Sequence, residues 1–399
     1  MSGISITPYF PFCRVNIIGQ QVKETTSLIQ ARPDHRYKPI CYVCKKSSVT
    51  IHKWEQRPIR DLSIGSTYVS IECNYRQIYC LNCRRFSLED LEFFEPSRRV
   101  TKRFACYIQN LCKILTIKDV ANHCNLGWKT VKDIDKAFLE KEYGQTDYGD
   151  LTILAVDEIS IRRGHTYMTV VLDYLTGRVV WMGNGRKTAT FMQFFESMTD
   201  DQIEKLEAIA MDMWNPYIKA VETKAPHVKI VFDLFHMVKE FNKIIDRVRI
   251  DEYTKASEYD KSVIKGSKYL LLKNAENIKN DEEIEHLERL LALNKTISEV
   301  MILKDNLKLI WECESRTEAQ QQINAWCLLA ESIQHPSVNK FVNRIRRHEY
   351  GILNHCDYHI HTSIIEGVNN KIKVIKRKAY GFHDDRYFTL KVIQAFSTS

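Results

Sequence analysis

The sequence predicts a multidomain α+β protein, in which a small cysteine-containing N-terminal part precedes an α/β domain that an all-α insertion interrupts. Three observations predict this organisation. Two CxxC pairs lie in residues 39–90. Strand-like segments begin after residue 150 and then alternate with helical ones. A charge-rich stretch with helical periodicity and no strand pattern covers residues 237–350.

The positive charge of the chain is concentrated in its N-terminal part. The net charge is +8 over 399 residues, and residues 1–150 hold 23 Lys and Arg against 16 Asp and Glu. Such a basic region favours a polyanionic partner, most often nucleic acid. Charge alone fits a merely basic soluble protein equally well.

Neither a signal peptide nor a membrane span is predicted. Residues 1–20 lack a charged start followed by an apolar core, and no run of about 18 apolar residues occurs. Twelve cysteines without a secretory signal indicate a reducing compartment, where they serve as thiols or metal ligands. We therefore expect a cytoplasmic protein.

Residues 39–90 predict a zinc ribbon. Between the two CxxC pairs, residues 67–71 and 76–79 alternate as strands do. Each pair offers two thiolates, and two pairs complete a tetrahedral structural Zn²⁺ site. A redox CxxC is the weaker alternative, since no thioredoxin-like βαβ pattern surrounds either pair. Cys73 is a nearby substitute ligand, but the paired spacing favours Cys41, Cys44, Cys80 and Cys83.

The segments on either side of these cysteines give weaker signals. Residues 1–38 show no clear periodicity, and only residues 16–19 are a candidate strand and turn. Arg84 and Arg85 follow the second cysteine pair directly and are candidates for phosphate contacts.

Residues 99–142 predict a helical DNA-binding domain with a helix-turn-helix at residues 116–134. Val120 and Ala121 face inward from its first helix, and residues 125–127 form the turn. In the second helix the expected inward residues are Trp128, Val131 and Ile134, and the expected outward residues are Lys129, Thr130 and Lys132. An ordinary helical hairpin is the alternative, but a preceding zinc ribbon favours DNA binding.

Residues 150–236 predict the first part of a ribonuclease H-like catalytic core. Strands are expected at residues 151–156, 166–173, 178–182, 208–211 and 229–232, with helices at residues 191–198 and from residue 215. Three adjacent strands followed by alternating helices and strands is the order of that fold.

An all-α insertion is predicted at residues 237–350, and residues 351–399 complete the core with its last helix and a basic C-terminal segment. In residues 355–361, the side chains of His355, Cys356, Asp357, His359 and His361 form a ligand-rich loop. A polar loop beside the active site is the favoured interpretation of this loop, and a second metal site is the alternative.

The predicted last helix carries one carboxylate among basic residues. Apolar residues at 364, 365, 368, 372 and 375 define its inner face, and Glu366 lies near its start. Solvated charge is the ordinary explanation of such a run. The alternative is a carboxylate that binds a metal ion, next to cations that bind a phosphate backbone, namely Lys371, Lys373, Lys376 and Arg377.

Three acids are expected to meet at one edge of the predicted sheet. Asp157 ends the first strand, Asp212 ends the neighbouring fourth strand, and the last helix brings Glu366 beside them. Clustered carboxylates repel one another unless cations compensate. Two Mg²⁺ or Mn²⁺ ions, about 3.5–4 Å apart, provide the compensating positive charge, and such ion pairs assist the cleavage and joining of phosphodiesters.

At these residues the chain resembles bacterial insertion-sequence transposases of the ISL-three family, which carry a DDE catalytic domain. The resemblance covers the cysteine pairs, the helix-turn-helix and the motifs at residues 156–158, 211–217, 232–236, 366–373 and 376–382. It implies a transposase that binds the terminal inverted repeats of its element, cleaves DNA and joins the freed 3′ ends to target DNA. Double-stranded DNA is then the partner, at the bacterial nucleoid, and a homodimer or higher oligomer is expected in the synaptic complex.

The resemblance also implies supporting residues. Asp233 and His236 are similar to the Cys/Asp-x-x-His element of related transposases, and Asn370 follows Glu366 in the last motif. Asp212 and Asp233 both end strands, and the fold argument selects Asp212 as the second catalytic acid. Two other functions remain open: a DNA-binding regulator with an inactive nuclease domain, which the retained acids disfavour, and a hydrolytic nuclease without strand transfer.

Overall fold

The computed structural model of the protein describes residues 7–47, 49–162, 166–360 and 363–397. The chain divides into two compact units, Met1–Glu142 and Tyr143–Ser399. Each unit has its own buried apolar core.

A five-stranded sheet forms most of the first unit. Its order is β1-β2-β4-β3, with β5 also paired to β4. Strands β2 and β4 are parallel and the other pairs are antiparallel. The strands are β1 (Val15–Lys23), β2 (Thr26–Pro33), β3 (Val49–Arg60), β4 (Tyr68–Cys80) and β5 (Arg85–Leu88).

This sheet is larger than the sequence predicts. Strands β1 and β2 lie in residues 1–38, where only residues 16–19 were a strand candidate. The two predicted strands at residues 67–71 and 76–79 are one strand, β4, because Asn74 between them stays paired, opposite Gln56 of β3.

Three helices follow the sheet in the first unit: α1 (Lys102–Ile114), α2 (Ile117–Cys124) and α3 (Trp128–Tyr143). Buried Asp61, at the end of β3, ties the sheet to α1, since it accepts a hydrogen bond from Thr101 and forms an ion pair with Arg103. Thr101 in turn caps the N-terminus of α1.

The predicted helix-turn-helix elements are confirmed in α2 and α3. Thr116 caps α2, and Asn125 adopts the left-handed conformation that turns the chain into α3. Val131 and Ile134 are buried as predicted, but Trp128 is 63% exposed and the prediction that it faces inward is wrong. Trp128 opens α3, one turn before Val131, and lies outside the small core.

A second five-stranded sheet forms the centre of the second unit. Its order is β10-β9-β6-β7-β8. Strands β6, β7 and β8 pair antiparallel, whereas β9 and β10 run parallel to β6. The strands are β6 (Ile153–Arg162), β7 (Thr166–Asp173), β8 (Val179–Asn184), β9 (Ala208–Met211) and β10 (Lys229–Phe232), with helices α4 (Thr188–Glu196), α5 (Asp200–Glu204) and α6 (Asn215–Lys224) between them.

The expectation that Asp157 ends the first strand is wrong. Strand β6 continues to Arg162, because its antiparallel pairing with β7 persists to that residue. The parallel pairing with β9 stops at Ala155. Asp157 therefore lies inside a strand but just beyond the last residue that pairs with β9, and Asp212 directly follows β9 as expected.

Helices cover both faces of this sheet. Leu154 and Val156 pack on one face against α4, α6 and an all-α region. As expected from the sequence, no strand occurs in that region within its described residues. Its helices are α7 (Leu234–Lys255), α8 (Glu258–Ile264), α9 (Lys268–Leu272), α10 (Asp281–Leu293), α11 (Lys295–Leu309), α12 (Arg316–Ser332) and α13 (Pro336–Leu353).

Helices α14 (Ser363–Lys378) and α15 (Asp385–Phe396) cover the other face, where they pack on Ala155 and Ile159. The helix of Glu366 was expected to be the last, but α15 follows it. None of the helices in the described ranges is long and apolar enough to cross a membrane.

Candidate active site and metal centre

Asp157 is held by two hydrogen bonds on the α14 face of β6. Its Oδ1 accepts the backbone N–H of Glu158 at 2.7 Å, and its Oδ2 accepts the side-chain amide of Asn369 on α14. Burial raises the pKa of Asp157 and outweighs the opposing charge of His236. A carboxylate in this environment favours either a proton or a nearby cation.

Asp212 and Asp233 follow neighbouring parallel strands but differ in how their oxygens are used. Asp233 is 5% exposed; its Oδ1 accepts the N–H of Phe235 at 2.7 Å and its Oδ2 contacts Nδ1 of His236 at 2.8 Å. Asp233 thereby caps the N-terminus of α7. Among the described atoms, the buried Oδ1 of Asp212 has no hydrogen-bond partner.

His236 joins these acids into one electrostatic group. Burial alone would lower its pKa, but the hydrogen bond to Asp233 and the charges of Asp212 and Asp157 raise the pKa overall. The three aspartates therefore lie close enough to act on one imidazole. A protonated His236 partly offsets their negative charge.

Glu366 lies on α14, one turn before Asn369, and is exposed. The ligand oxygens of Asp157, Asp212 and Glu366 do not all approach within 4.8 Å, since the four-cysteine group is the only set that meets this limit in the described residues. The structure thus brings α14 onto Asp157 through Asn369, and Glu366 lies one turn before Asn369 on the same helix.

The side chain of α14 that contacts Asp157 is Asn369, which sequence reasoning missed in favour of Asn370. Asn370 is exposed and accepts a 3.5 Å hydrogen bond from Lys373. The signal was present: Asn369 lies four residues after Ile365 and three before Ile372, so it belongs to the buried stripe of the helix.

Four cysteines of the first unit form the second candidate site. The sulfurs of Cys41, Cys44, Cys80 and Cys83 all lie within 4.8 Å of one another. The backbone N–H of Lys46 lowers the pKa of Cys44 to about 6, whereas interaction with Cys44 raises the pKa of Cys83 to about 12. Four thiols so close cannot all ionise without a cation, and an all-sulfur tetrad fits Zn²⁺.

Cys73 does not belong to this group. It is fully buried in the apolar core of the sheet, and burial raises its pKa to about 12. Its thiol is therefore a core side chain, in agreement with the preference for the paired cysteines.

The loop of residues 355–361 shows no metal group in its described part. His355 is buried, and its Nε2 lies 3.1 Å from the carbonyl oxygen of Trp311. His361 lies outside the described residues. The four-cysteine group is the only one of its kind in the described chain, which favours the polar-loop interpretation.

The predicted DNA-contacting residues differ in their surroundings. Arg84, Arg85, Lys129 and Thr130 are exposed, and Lys132 is half-buried. On α14, Lys371 donates to the carbonyl of Ala395 and lies over the ring of Phe396, so it packs on α15. The other residues of this helix that were predicted to contact DNA are Lys373 and Arg377, which are exposed, and Lys376, which donates to the carbonyl of Ser160 at 3.3 Å.

Two family models match the chain over these regions. Residues 89–139 match the helix-turn-helix domain of transposase family ISL3. Residues 154–392, more than half of the chain, match the DDE transposase model of the same family. The chain belongs to the ISL3 (ISL-three) transposase family. This ISL3 transposase therefore carries the helix-turn-helix and the transposase domain that the sequence predicts.

Curated relatives agree with this assignment. The transposase is 35% identical over 360 residues to the transposase for insertion sequence element IS1001 of Bordetella parapertussis, covering 90% of this chain and 88% of that protein. It is 24% identical over 302 residues to the transposase for IS1557 of Mycobacterium tuberculosis, covering 70% and 66%. These relatives favour a transposase over the regulator with an inactive nuclease domain.

Proposed function

We propose that this transposase binds the terminal inverted repeats of its insertion sequence and catalyses metal-dependent DNA cleavage and strand transfer. The observation that most supports this proposal is the group of Asp157, Asp212 and His236. It lies where the parallel pairing of β6 and β9 ends, under the helix that bears Glu366. Its substrate would be double-stranded DNA of the element and the target, in the bacterial cytoplasm at the nucleoid.

A ribonuclease H-like catalytic domain is part of this proposal. The antiparallel order of β6, β7 and β8 and the parallel addition of β9 and β10 beside β6 support it. Residues 150–236 and 351–399 would form the core around the insertion at residues 237–350. This order sets the last residue of β6 that pairs with β9, two positions before Asp157, beside the end of β9, which Asp212 follows.

Asp157, Asp212 and Glu366 would hold two Mg²⁺ or Mn²⁺ ions. The fit rests on the all-oxygen donor set, the buried carboxylate of Asp157 and the unused Oδ1 of Asp212 among the described atoms. When bound, two such ions activate the attacking water or 3′ hydroxyl and stabilise the leaving oxygen of the phosphodiester.

The protein's own residues then have distinct tasks. Asn369 orients the Oδ2 of Asp157, and Asp233 fixes His236 while capping α7. We assign Asp212 rather than Asp233 as the second catalytic acid, because both oxygens of Asp233 already accept hydrogen bonds. Exposed Lys373 and Arg377 would bind the phosphate backbone beside the site.

The first unit would recognise the DNA ends. One structural Zn²⁺ on Cys41, Cys44, Cys80 and Cys83 would fix the ribbon, and α3 would enter the major groove with Lys129 and Thr130 outward. A homodimer or higher oligomer would hold two ends together in the synaptic complex.

The test is incubation of the purified protein with labelled DNA from the flanks of its own gene and Mg²⁺. Asp157→Ala, Asp212→Ala and Glu366→Ala should each lower cleavage by several orders of magnitude with unchanged melting temperature and end binding. The control Asp201→Ala, an exposed acid of α5, should keep full activity.

The same test also checks the choice of the second catalytic acid and the step of strand transfer. Asp233→Ala should lower the melting temperature through the lost cap. A folded but inactive Asp233→Ala together with an active Asp212→Ala would reverse the assignment of the second acid. Cleaved but never joined products would replace the transposase proposal with the hydrolytic nuclease.

A further inference from the structure

A cleft of about 690 Å³ opens on the sheet face opposite α14. This volume lies in the range of small-ligand sites. It is lined by aromatic and cationic side chains, with Tyr167, Arg186, Lys187 and Trp214 among them. None of these residues has a part in the proposed chemistry.

Arg186, which lines this cleft, is held against two aromatic rings. Its guanidinium carbon lies 4.2 Å from the ring centroid of Tyr167 and 5.2 Å from that of Trp214. Its Nη1 contacts Oε1 of Glu158 at 3.0 Å. Three contacts hold one cation, so the cleft is prearranged rather than loosely lined.

Trp214 presents a rigid aromatic surface to the cleft. Its indole N–H donates to the carbonyl of Arg186 at 3.2 Å, yet the residue remains 38% exposed. Lys187, beside Arg186, is exposed and has no ion-pair partner in the described ranges. The cleft therefore combines a fixed ring face with positive charge.

The cleft is close to the proposed catalytic acids along the chain. Glu158, which binds Arg186, directly follows Asp157 on β6, and Trp214 is two residues after Asp212. Side chains of successive strand residues point to opposite faces, so the cleft and Asp157 lie on the two sides of one strand. Only the width of strand β6 therefore separates the cleft from Asp157.

We propose that this cleft binds an unpaired nucleotide of the DNA end, with its base against Trp214 and its phosphate near Arg186 and Lys187. Bases inside a duplex are covered on both faces by their neighbours, so an internal base must unstack before an indole can stack on it. The cationic pair matches the phosphate of the same nucleotide. This inference rests on the proposed function, since it assumes that DNA is the substrate.

The test compares binding of the full-length protein to two DNA probes without added divalent cations, so that cleavage plays no part. One probe is the paired element end, and the other has the same sequence with a short unpaired tip that contains 2-aminopurine. We expect about tenfold tighter binding of the unpaired probe, with quenched 2-aminopurine fluorescence. Trp214→Ala should lose both effects and Trp214→Phe should keep most of each.

Two further variants separate stacking from general effects. Lys187→Ala changes an exposed residue and should weaken binding of the unpaired probe several-fold without a change in melting temperature. Tyr269→Ala removes an aromatic residue that is 76% exposed in the insertion and should change nothing.

Equal binding of both probes by the wild type, or full preference and quenching in Trp214→Ala, would overturn the proposal. Neither readout requires cleavage. If the variants of the three acids kept their activity, the proposed catalytic site would be wrong, but the nucleotide-binding proposal would still stand or fall by the probe experiment. If Trp214→Ala cleaved the paired end normally and kept the wild-type probe preference, the nucleotide-binding proposal would be wrong and the proposed transposase function would be unaffected.

Discussion

At the scale of single residues, Gly351 decides how closely α13 lies on β10. A Cβ at this position would lie 2.4 Å from Cε2 of Phe232 and 3.1 Å from the carbonyl oxygen of Ile230. Asn354, one turn later, donates to that same carbonyl at 2.9 Å. The close approach places α13 against the strand that leads into Asp233.

Gly351→Ala should therefore destabilise the second unit by about 1–3 kcal/mol, because Phe232 and the strand must move. Gly367→Ala is the matched control: it also lies inside a helix, and its new Cβ meets nothing within 4 Å. That variant should gain up to about 1 kcal/mol from helix propensity. Thermal melting of both variants decides this, and equal melting temperatures would show that the backbone contact has no cost.

Asn369 and Asn370 give a second comparison at this scale. The side-chain amide of Asn369 donates to Asp157, which the proposed function makes a metal ligand, and loss of such support for a ligand costs about 10–100-fold in activity. We expect the single-turnover cleavage rate of Asn369→Ala to fall by that factor and the rate of Asn370→Ala to stay near that of the wild type. The reverse order would return the supporting role to Asn370.

At the scale of elements, sequence patterns located all five strands of the second sheet but missed most of β1 and all of β2, β3 and β5 in the first. Strands β9 and β10 lie where predicted because they are short apolar runs that end at Asp212 and Asp233. Strand β3 was missed because most of its residues are exposed and polar, so no alternation marks it. Its place depends on pairing with β4, which local periodicity does not encode.

The candidate site was predictable to a similar degree. The acids were selected because each was expected to end a strand or to lie near the start of a helix, which holds for Asp212 and Glu366, whereas Asp157 lies inside β6. The contact between Asn369 and Asp157 spans 212 positions and was not found, because it depends on how α14 lies on β6. Trp128 was misplaced because apolar character predicted burial, whereas the buried residues of α3 begin one turn later, at Val131.

The cysteine centre gives the prediction at this scale. Cys41→Ser should lower bound zinc from about one ion per chain to a small fraction and lower the melting temperature of the first unit, since metal binding and folding are coupled. Cys73→Ala should keep its zinc, because its thiol lies in the apolar core. The zinc content of both variants is measured on protein purified without chelators. If Cys73→Ala lost its zinc and Cys41→Ser kept it, Cys73 would replace Cys41 as a zinc ligand.

At the scale of the whole molecule, the proposed function assigns a different task to each of the two units. Met1–Glu142 has its own sheet core and its own helical core, so a fragment of residues 1–142 should fold alone. It should bind the element end with affinity that falls steeply as salt rises, because Lys and Arg contacts release counterions.

A fragment of residues 143–399 is the comparison in the same binding titration. It should lack sequence preference, and equal end binding by both fragments would contradict the division. Within the first fragment, Lys129→Ala should reduce the slope of log binding constant against log salt concentration by about one. Lys113→Ala, at the exposed end of α1, should leave the slope unchanged.

The position of α14 late in the chain has a consequence for synthesis on the ribosome. Strand β6 leaves the ribosome long before Asn369 and Glu366, with the whole insertion translated between them. A message cut short before α14 thus yields a chain that has a whole first unit but lacks Asn369 and Glu366. Under the proposed function, such a product occupies transposon ends without cutting them, so that 3′-truncated copies of the gene act as inhibitors of intact ones.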